Sequence, residues 1–320
     1  MRVGSNSDFC LKIVPDALGK APYGFDFDSY RFVRGCGVEM TLIWARPDVI
    51  WEATQGDFRA LDAEIGWAMA CGIEPVIKLA PLFDSNGNIA FLTTDIAELG
   101  IRYPGVRYFI VGNEPGNGSY GDWRSQDWQG YIDQVIAPCS AALKAARPDA
   151  LLIGPEADSP GILDAILQAE AGRYFDVIGL HCYPGTPNFP ADSIPKLSQY
   201  QKVVNAALVD ETTMKNALAL GRHYTRPVFI SECGPDDHCL DGPGSDMVGF
   251  LKAAEALGYD AAFTYRLRSE TEGRTDITGP NWEHGLTMLA PNWGTVPLTR
   301  AADPFRAAFG NKPRVRSIER

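Results

Sequence analysis

Along this chain, short runs of consecutive apolar and β-branched residues alternate with longer segments whose apolar positions recur every three or four residues. The short runs begin near Arg2 (RVGS), Glu39 (EMTLIW), Pro75 (PVIKLA), Arg107 (RYFIVGNEP), Leu151 (LLIGP), Val177 (VIGLHCYP), Val228 (VFISECG) and Ala261 (AAFTYRL). Stretches such as FIVG and VIGL lack polar alternation, which is the pattern of a parallel strand buried on both faces. The first run is the shortest, and a long loop is expected after it, from Asp8 to Phe25.

The intervening segments read as helices. Asp57–Cys71 places Phe58, Leu61, Ile65 and Met69 on one face, and Gly72 follows as a stop. Gln126–Ala146 reads as a helix kinked or split at Pro138 and ended by Pro148. Pro160–Ala171 and Asp246–Leu257 each run into a glycine, Gly172 and Gly258, and then a strand. Lys196–His223 is the longest helical segment, as one helix or two. Arg268–Leu298, rich in Gly, Pro and Asn, reads as a long loop after the eighth strand, with Arg300–Phe309 as a closing helix. Eight strand–helix alternations without a compositional break predict an α/β fold, one closed (β/α)8 TIM barrel over residues 1–320, rather than a doubly wound sheet.

Composition narrows the partners. The 320 residues are 45% hydrophobic and 22% charged, with 29 basic and 40 acidic side chains and a net charge of −11. So acidic a surface repels nucleic acid and anionic membranes, which leaves neutral small molecules or neutral polymers. Seven cysteines without CxxC pairs argue against a disulfide framework. Met1–Lys20 shows no charged segment leading into an apolar run, so no signal peptide is expected and the cytoplasm is the default compartment. No stretch has the length of a membrane span.

In such a barrel, chemistry gathers at the carboxyl ends of the strands. The second strand ends Trp44-Ala45-Arg46, the third carries Lys78, and the fourth ends Gly112-Asn113-Glu114-Pro115. The fifth offers Glu156, the sixth His181-Cys182-Tyr183-Pro184, the seventh Ser231-Glu232-Cys233-Gly234 and the eighth Tyr265-Arg266. Taken singly, Glu114 fits a helix-capping or surface turn, Glu232 a buried partner of a structural arginine, and His181 a satisfied core histidine. Together, two carboxylates at the mouths of the fourth and seventh strands face each other across one barrel. That is the arrangement that hydrolysis of a glycosidic bond requires.

VGNEP on the fourth strand, LHCYP on the sixth and SECG on the seventh, in this order, resemble the clan of retaining β-glycoside hydrolases with glutamates on strands four and seven. The ending YRLRSE…NWEHGL resembles its family-39-like branch. The resemblance implies Glu114 as acid/base and Glu232 as nucleophile. It also implies Asn113 as the partner of the sugar 2-hydroxyl, with His181 and Tyr183 bordering the nucleophile. Among the aromatic residues, Trp44, Tyr265 and Trp282 are the candidates for stacking on a sugar. It further implies an oligo- or polysaccharide substrate, and no cofactor or metal is expected. Two positions depart from the clan: Leu42 stands where the second strand often has an arginine, with Arg46 nearby, and Thr264-Tyr265 where the eighth usually has a tryptophan.

Other readings are weaker. A metal-dependent barrel hydrolase would need clustered ligands, yet the four histidines include no HxH pair. The acidic segments CGPDD and RSETEG are unsuited to a phosphate. A catalytically impaired sugar-binding barrel remains as the alternative.

Overall fold

The computed structural model describes residues 1–7, 27–45, 58–79, 82–83, 89–91, 93–116, 127–169, 171–183, 191–210, 226–234, 243–264 and 302–310. Eight of the strands within them form one sheet: β1 (Arg2–Ser7), β2 (Met40–Trp44), β3 (Glu74–Leu79), β4 (Tyr108–Val111), β5 (Leu151–Ala157), β6 (Val177–Cys182), β7 (Val228–Cys233) and β8 (Ala261–Thr264). All pair in parallel in chain order, and β1 pairs with both β2 and β8, so the sheet closes into a barrel. The eight apolar runs of the sequence are these eight strands.

Helices follow the strands: α1 (Phe27–Gly35), α2 (Arg59–Ala70), α3 (Thr93–Arg102), α5 (Pro160–Gln168), α6 (Ser193–Asp210), α7 (Pro243–Ala256) and α8 (Ala302–Phe309). Between β4 and β5, α4 is built from Trp128–Tyr131, a π-helical turn Ile132–Ile136, and Ala137–Ala146. The interruption expected at Pro138 takes this form. Proline has no N–H to donate four residues back, and the ladder widens just before it, with the Ala137 N–H bonding to the Ile132 carbonyl. The expected stops after α2 and α7 are also present. Gly72 and Gly258 adopt φ of 70° and 88°, a conformation open to glycine, and the following residues donate back to Ala68 and Ala254.

The sequence reading does not single out α1, α3 or the two short antiparallel strands Leu82–Phe83 and Ile89–Phe91. Residues 8–26, 211–225 and 265–301 lie outside the described residues, and with them the segment Arg268–Leu298 read as a loop after the eighth strand.

Alternation along each strand divides the apolar residues into two populations. Tyr108, Ile110, Ile153, Phe229 and Phe263 belong to a cluster inside the barrel, where Phe229 sits 5.4 Å from Tyr108 and 6.2 Å from Phe263, ring centre to ring centre. Their neighbours Phe109, Val111, Leu152 and Ile230 face outward into the larger cluster beneath the helices. The strands are thus apolar on both faces, as the unbroken apolar runs imply. At the amino-terminal end, Arg2 pairs with Glu74 and Glu39, so the barrel floor is closed by charge. Because Phe229 fills the barrel axis, we predict that Phe229→Ala lowers unfolding free energy by about 3–5 kcal/mol. Denaturant unfolding checks this, and a loss under about 1 kcal/mol would mean that the barrel interior collapses readily around the cavity.

Candidate active site

The interior of the barrel turns polar at its carboxyl end. Lys78 points inward from β3 and is fully buried. Its ammonium donates to Oε2 of Glu156 at 3.0 Å and Oε1 of Glu232 at 3.1 Å, and lies 4.5 Å above the ring of Trp44. His181, also fully buried, spans the site: Nδ1 is 2.8 Å from Oε1 of Glu114, and Nε2 is 3.2 Å from Oε2 of Glu156. Tyr183 donates its hydroxyl to Oε2 of Glu232 at 3.1 Å. Ser231 donates to Oε1 of Glu156 at 2.8 Å.

Irregular backbone aims these side chains. Between β6 and β7 the register runs Leu180 to Ile230 and then His181 to Glu232, so Ser231 is an extra residue. Strict alternation from Phe229 would turn Glu232 outward; the bulge lets Ser231 and Glu232 both reach the interior network. A second irregularity falls between Pro155 and Ala157, where Glu156 is the extra residue. Glu156 has φ of 63° and Glu114 φ of 39°, left-handed conformations that cost free energy in any residue with a Cβ. They are tied together, since the Glu114 N–H donates to the Glu156 carbonyl at 3.1 Å. Gly179 on β6 makes room for the Glu156 carboxylate: a Cβ there would collide with Oε1 of Glu156 and stand 2.7 Å from Cγ2 of Ile153.

Electrostatics decide the protonation states. Burial alone would strip the proton from Lys78, but Glu232 and Glu156 outweigh it and its pKa is raised. Burial and Lys78 oppose a charge on His181, yet its carboxylate neighbours, Glu232 foremost, bring its pKa up to about 9. Burial also disfavours the Glu156 carboxylate, and here Lys78 and His181 prevail, taking it down to about 2. With His181 protonated, Nδ1–H donates to Glu114 and Nε2–H to Glu156. The Lys78–His181 approach of 3.2 Å is then a like-charge contact, offset by Glu156 and Glu232, each of which faces both cations. Nearby, burial and then Glu114 raise the pKa of Asp158.

Glu114, His181 and Glu232 each bring one ligand atom within 4.8 Å of the others, the described cluster best able to hold a metal ion. Its chemistry is ill suited to one. The Lys78 ammonium already sits 3.1 Å from Glu232, and the His181 nitrogen facing Glu114 is held as a donor.

Of the residues singled out by sequence, Glu114, Glu232, His181 and Tyr183 come together directly. Asn113, 6% exposed, lies beside Glu114, and its Oδ1 has no hydrogen-bond partner among the described residues. Trp44 is nearly buried and has Lys78 over its ring. Tyr265, Trp282 and Arg46 lie outside the described residues. Leu42 is fully buried among the apolar residues inside the barrel. Lys78 and Glu156 were visible only as polar residues at strand ends; that a lysine and a glutamate 78 residues apart form one pair follows from closure of the barrel.

No family model matches the chain, and no curated relative matches it. Solved structures do. A family 39 glycoside hydrolase from the gut symbiont Bacteroides cellulosilyticus superposes with a TM-score of 0.67 at 14% identity, over 97% of this chain and 63% of that one. The GH39 enzyme from Xanthomonas axonopodis pv. citri gives 0.65 at 16% identity, over 98% and 66%. A GH5-4 broad specificity endoglucanase from Clostridium acetobutylicum gives 0.63 at 14%, over 96% and 97%. The chain thus spans under two thirds of the length of these two family 39 structures, and its fold is similar to glycoside hydrolase barrels of families 39 and 5. No helix among the described residues is long and apolar enough to cross a membrane.

Two predictions follow from the charge network. The pKa of Glu156 is depressed from 4.5, so its contribution to stability is full above pH 4.5 and is lost as pH falls toward about 2. That of His181 is raised from 6.5, so its contribution is full below pH 6.5 and is lost as pH rises through about 9. The thermal midpoint should therefore decline on both sides of a plateau between these limits, and Glu156→Gln should flatten the acid side. An acid limb unchanged in that variant would show that Glu156 is not the titrating group. Secondly, EDTA, Zn²⁺, Mn²⁺ and Mg²⁺ should all leave the midpoint unchanged. A saturable rise with one of these ions would assign a metal to Glu114, His181 and Glu232.

Proposed function

We propose that this chain is a retaining glycoside hydrolase that cleaves β-glycosidic bonds in an oligo- or polysaccharide by double displacement, with Glu232 as nucleophile and Glu114 as acid/base. One observation carries the reading: an oxygen of Glu114 and one of Glu232 lie within 4.8 Å of each other across the barrel mouth, in different environments. A retaining mechanism asks for carboxyl groups about 5–5.5 Å apart, whereas an inverting one leaves room for a water between them.

The two environments fit opposite duties. Both oxygens of Glu232 accept hydrogen bonds, from Lys78 and Tyr183, as suits a carboxylate that attacks an anomeric carbon. Glu114 is half-buried, and His181 donates to its Oε1. Because His181 donates to Oε1, the proton that Glu114 passes to the departing oxygen belongs on Oε2. With Glu232 ionised and Glu114 protonated, as double displacement requires, the charges of Lys78, His181, Glu156 and Glu232 cancel.

In the first step an oxygen of Glu232 bonds to the anomeric carbon, the glycosidic bond breaks, and the Glu114 proton passes to the leaving oxygen. In the second, Glu114 takes a proton from water, whose oxygen displaces Glu232 and restores its charge. The unpartnered amide oxygen of Asn113 is suited to accept from a sugar hydroxyl beside the reacting bond. Tyr265 and Trp282 remain candidates to stack on the sugar. The impaired sugar-binding alternative rests on Leu42 in place of an arginine and Thr264-Tyr265 in place of a tryptophan; against the first, Lys78 supplies a cation to Glu232 from the neighbouring strand.

The test separates the two glutamates on a panel of dinitrophenyl β-glycosides. Glu114→Ala should keep the first step with these good leaving groups and slow the second. Azide should then accelerate turnover and yield a β-glycosyl azide. Glu232→Ala should lose on the order of 10⁴-fold or more in kcat, with azide giving at most an α-configured product. Reversed azide configurations would swap the roles. Near wild-type activity in both variants would place the chemistry elsewhere, and absence of any turnover by the wild type would favour the sugar-binding reading.

A further inference from the structure

Glu156 is the group in this cluster that the double displacement does not use. It is fully buried, and neither oxygen is available to a substrate: Oε1 is taken by Ser231, Oε2 by Lys78 and His181. Yet the fold sets it there at a cost. The residue is left-handed and bulged out of register on β5, and Gly179 gives up a side chain to admit it. A buried carboxylate with no duty toward substrate needs another reason to be kept ionised in the interior.

The reason lies in what happens to Lys78 during the reaction, and it rests on the retaining reading given above. In the resting protein Lys78 has two carboxylate partners at nearly equal distance. When Glu232 bonds to the sugar, its oxygen becomes part of a neutral ester and one partner disappears. With Glu232 as its sole counter-ion, a lysine sealed from water would then be an unpaired cation, and forming the ester would carry that penalty. We propose that Glu156 is a positioning residue, the permanent counter-anion of Lys78, which keeps the ammonium paired while Glu232 alternates between carboxylate and ester. No bond to Glu156 forms or breaks, and no proton leaves it. The same pairing divides the Lys78 charge between two carboxylates, so Glu232 is oriented without being neutralised.

The prediction is asymmetric between the half-reactions. In Glu156→Gln, ester formation leaves Lys78 unpaired, while ester hydrolysis restores its partner. With the dinitrophenyl β-glycoside that the wild type turns over best, kcat/KM, which reports the first step, should fall on the order of 10²-fold. With the matching 2-fluoro glycosyl fluoride, ester formation seen by intact mass should slow similarly, and reactivation should be as fast as wild type or faster. A residue that merely supports the fold would slow both steps alike. Lys78→Met/Glu156→Gln, which buries no lone charge, should be no slower than Lys78→Met and should melt higher. This double variant serves also if Glu156→Gln does not fold. Equal slowing of both steps, wild-type rates in Glu156→Gln, or a double variant slower than Lys78→Met overturns the inference and leaves the hydrolase reading standing. Absence of turnover by the wild type overturns both.

Discussion

An ammonium group withdrawn from water at the centre of a barrel sets the terms for everything around it. Lys78 has no exposed atom, and a lone charge in that position would cost several kcal/mol even after relaxation. The interior must therefore supply anions within hydrogen-bonding distance, and it supplies Glu156 and Glu232. Once those carboxylates are in place, His181 between them and Glu114 is drawn toward its charged form. One buried cation thus bears on the ionisation of Glu156 and His181, carried on two further strands.

That requirement explains where the barrel departs from regularity. Most of its interior is an ordinary apolar filling, with Ile153 and Val177 below Phe229 and Phe263. Toward the carboxyl end the same inward positions carry Lys78, His181 and Ser231, and regular pleating cannot bring both Ser231 and Glu232 to the network. The bulge on β7 and the left-handed residue on β5 achieve it at local cost, offset by the hydrogen bonds they permit. Strain of this kind concentrates at the two glutamates Glu114 and Glu156 and is absent from the other described non-glycine residues.

The similarity to family 39 and family 5 barrels extends over nearly the whole chain at 14–16% identity, and at that distance it speaks for the fold alone. The cation beside Glu232 comes from β3. The resembled clan often carries an arginine on the second strand; here Leu42 is part of the apolar filling, and the cation comes from β3, two positions further along the barrel axis, where Trp44 pairs with Lys78. A compact ammonium from this site reaches two carboxylates at once, and that reach makes the buried Glu156 intelligible.

The period of the apolar residues determined the strands, because a parallel strand packed on both faces leaves no choice but consecutive hydrophobic residues. Glycine and proline marked where α2, α4 and α7 stop or widen, since their backbone limits act locally. VGNEP, LHCYP and SECG named Glu114, Glu232, His181 and Tyr183, because the polar end of each strand is written next to its apolar run. Helices α1 and α3 were not singled out. Both are amphipathic, with Tyr30 and Val33, and Ile96 and Leu99, as buried positions, so the local signal was present there and was passed over. The partnership of Lys78 with Glu156 could not be read from spacing, because it depends on closure of the sheet, on the twist that turns β3 toward β5 and β7, and on a one-residue bulge. Each of those is a property of strands packed together, and only the folded barrel decided them.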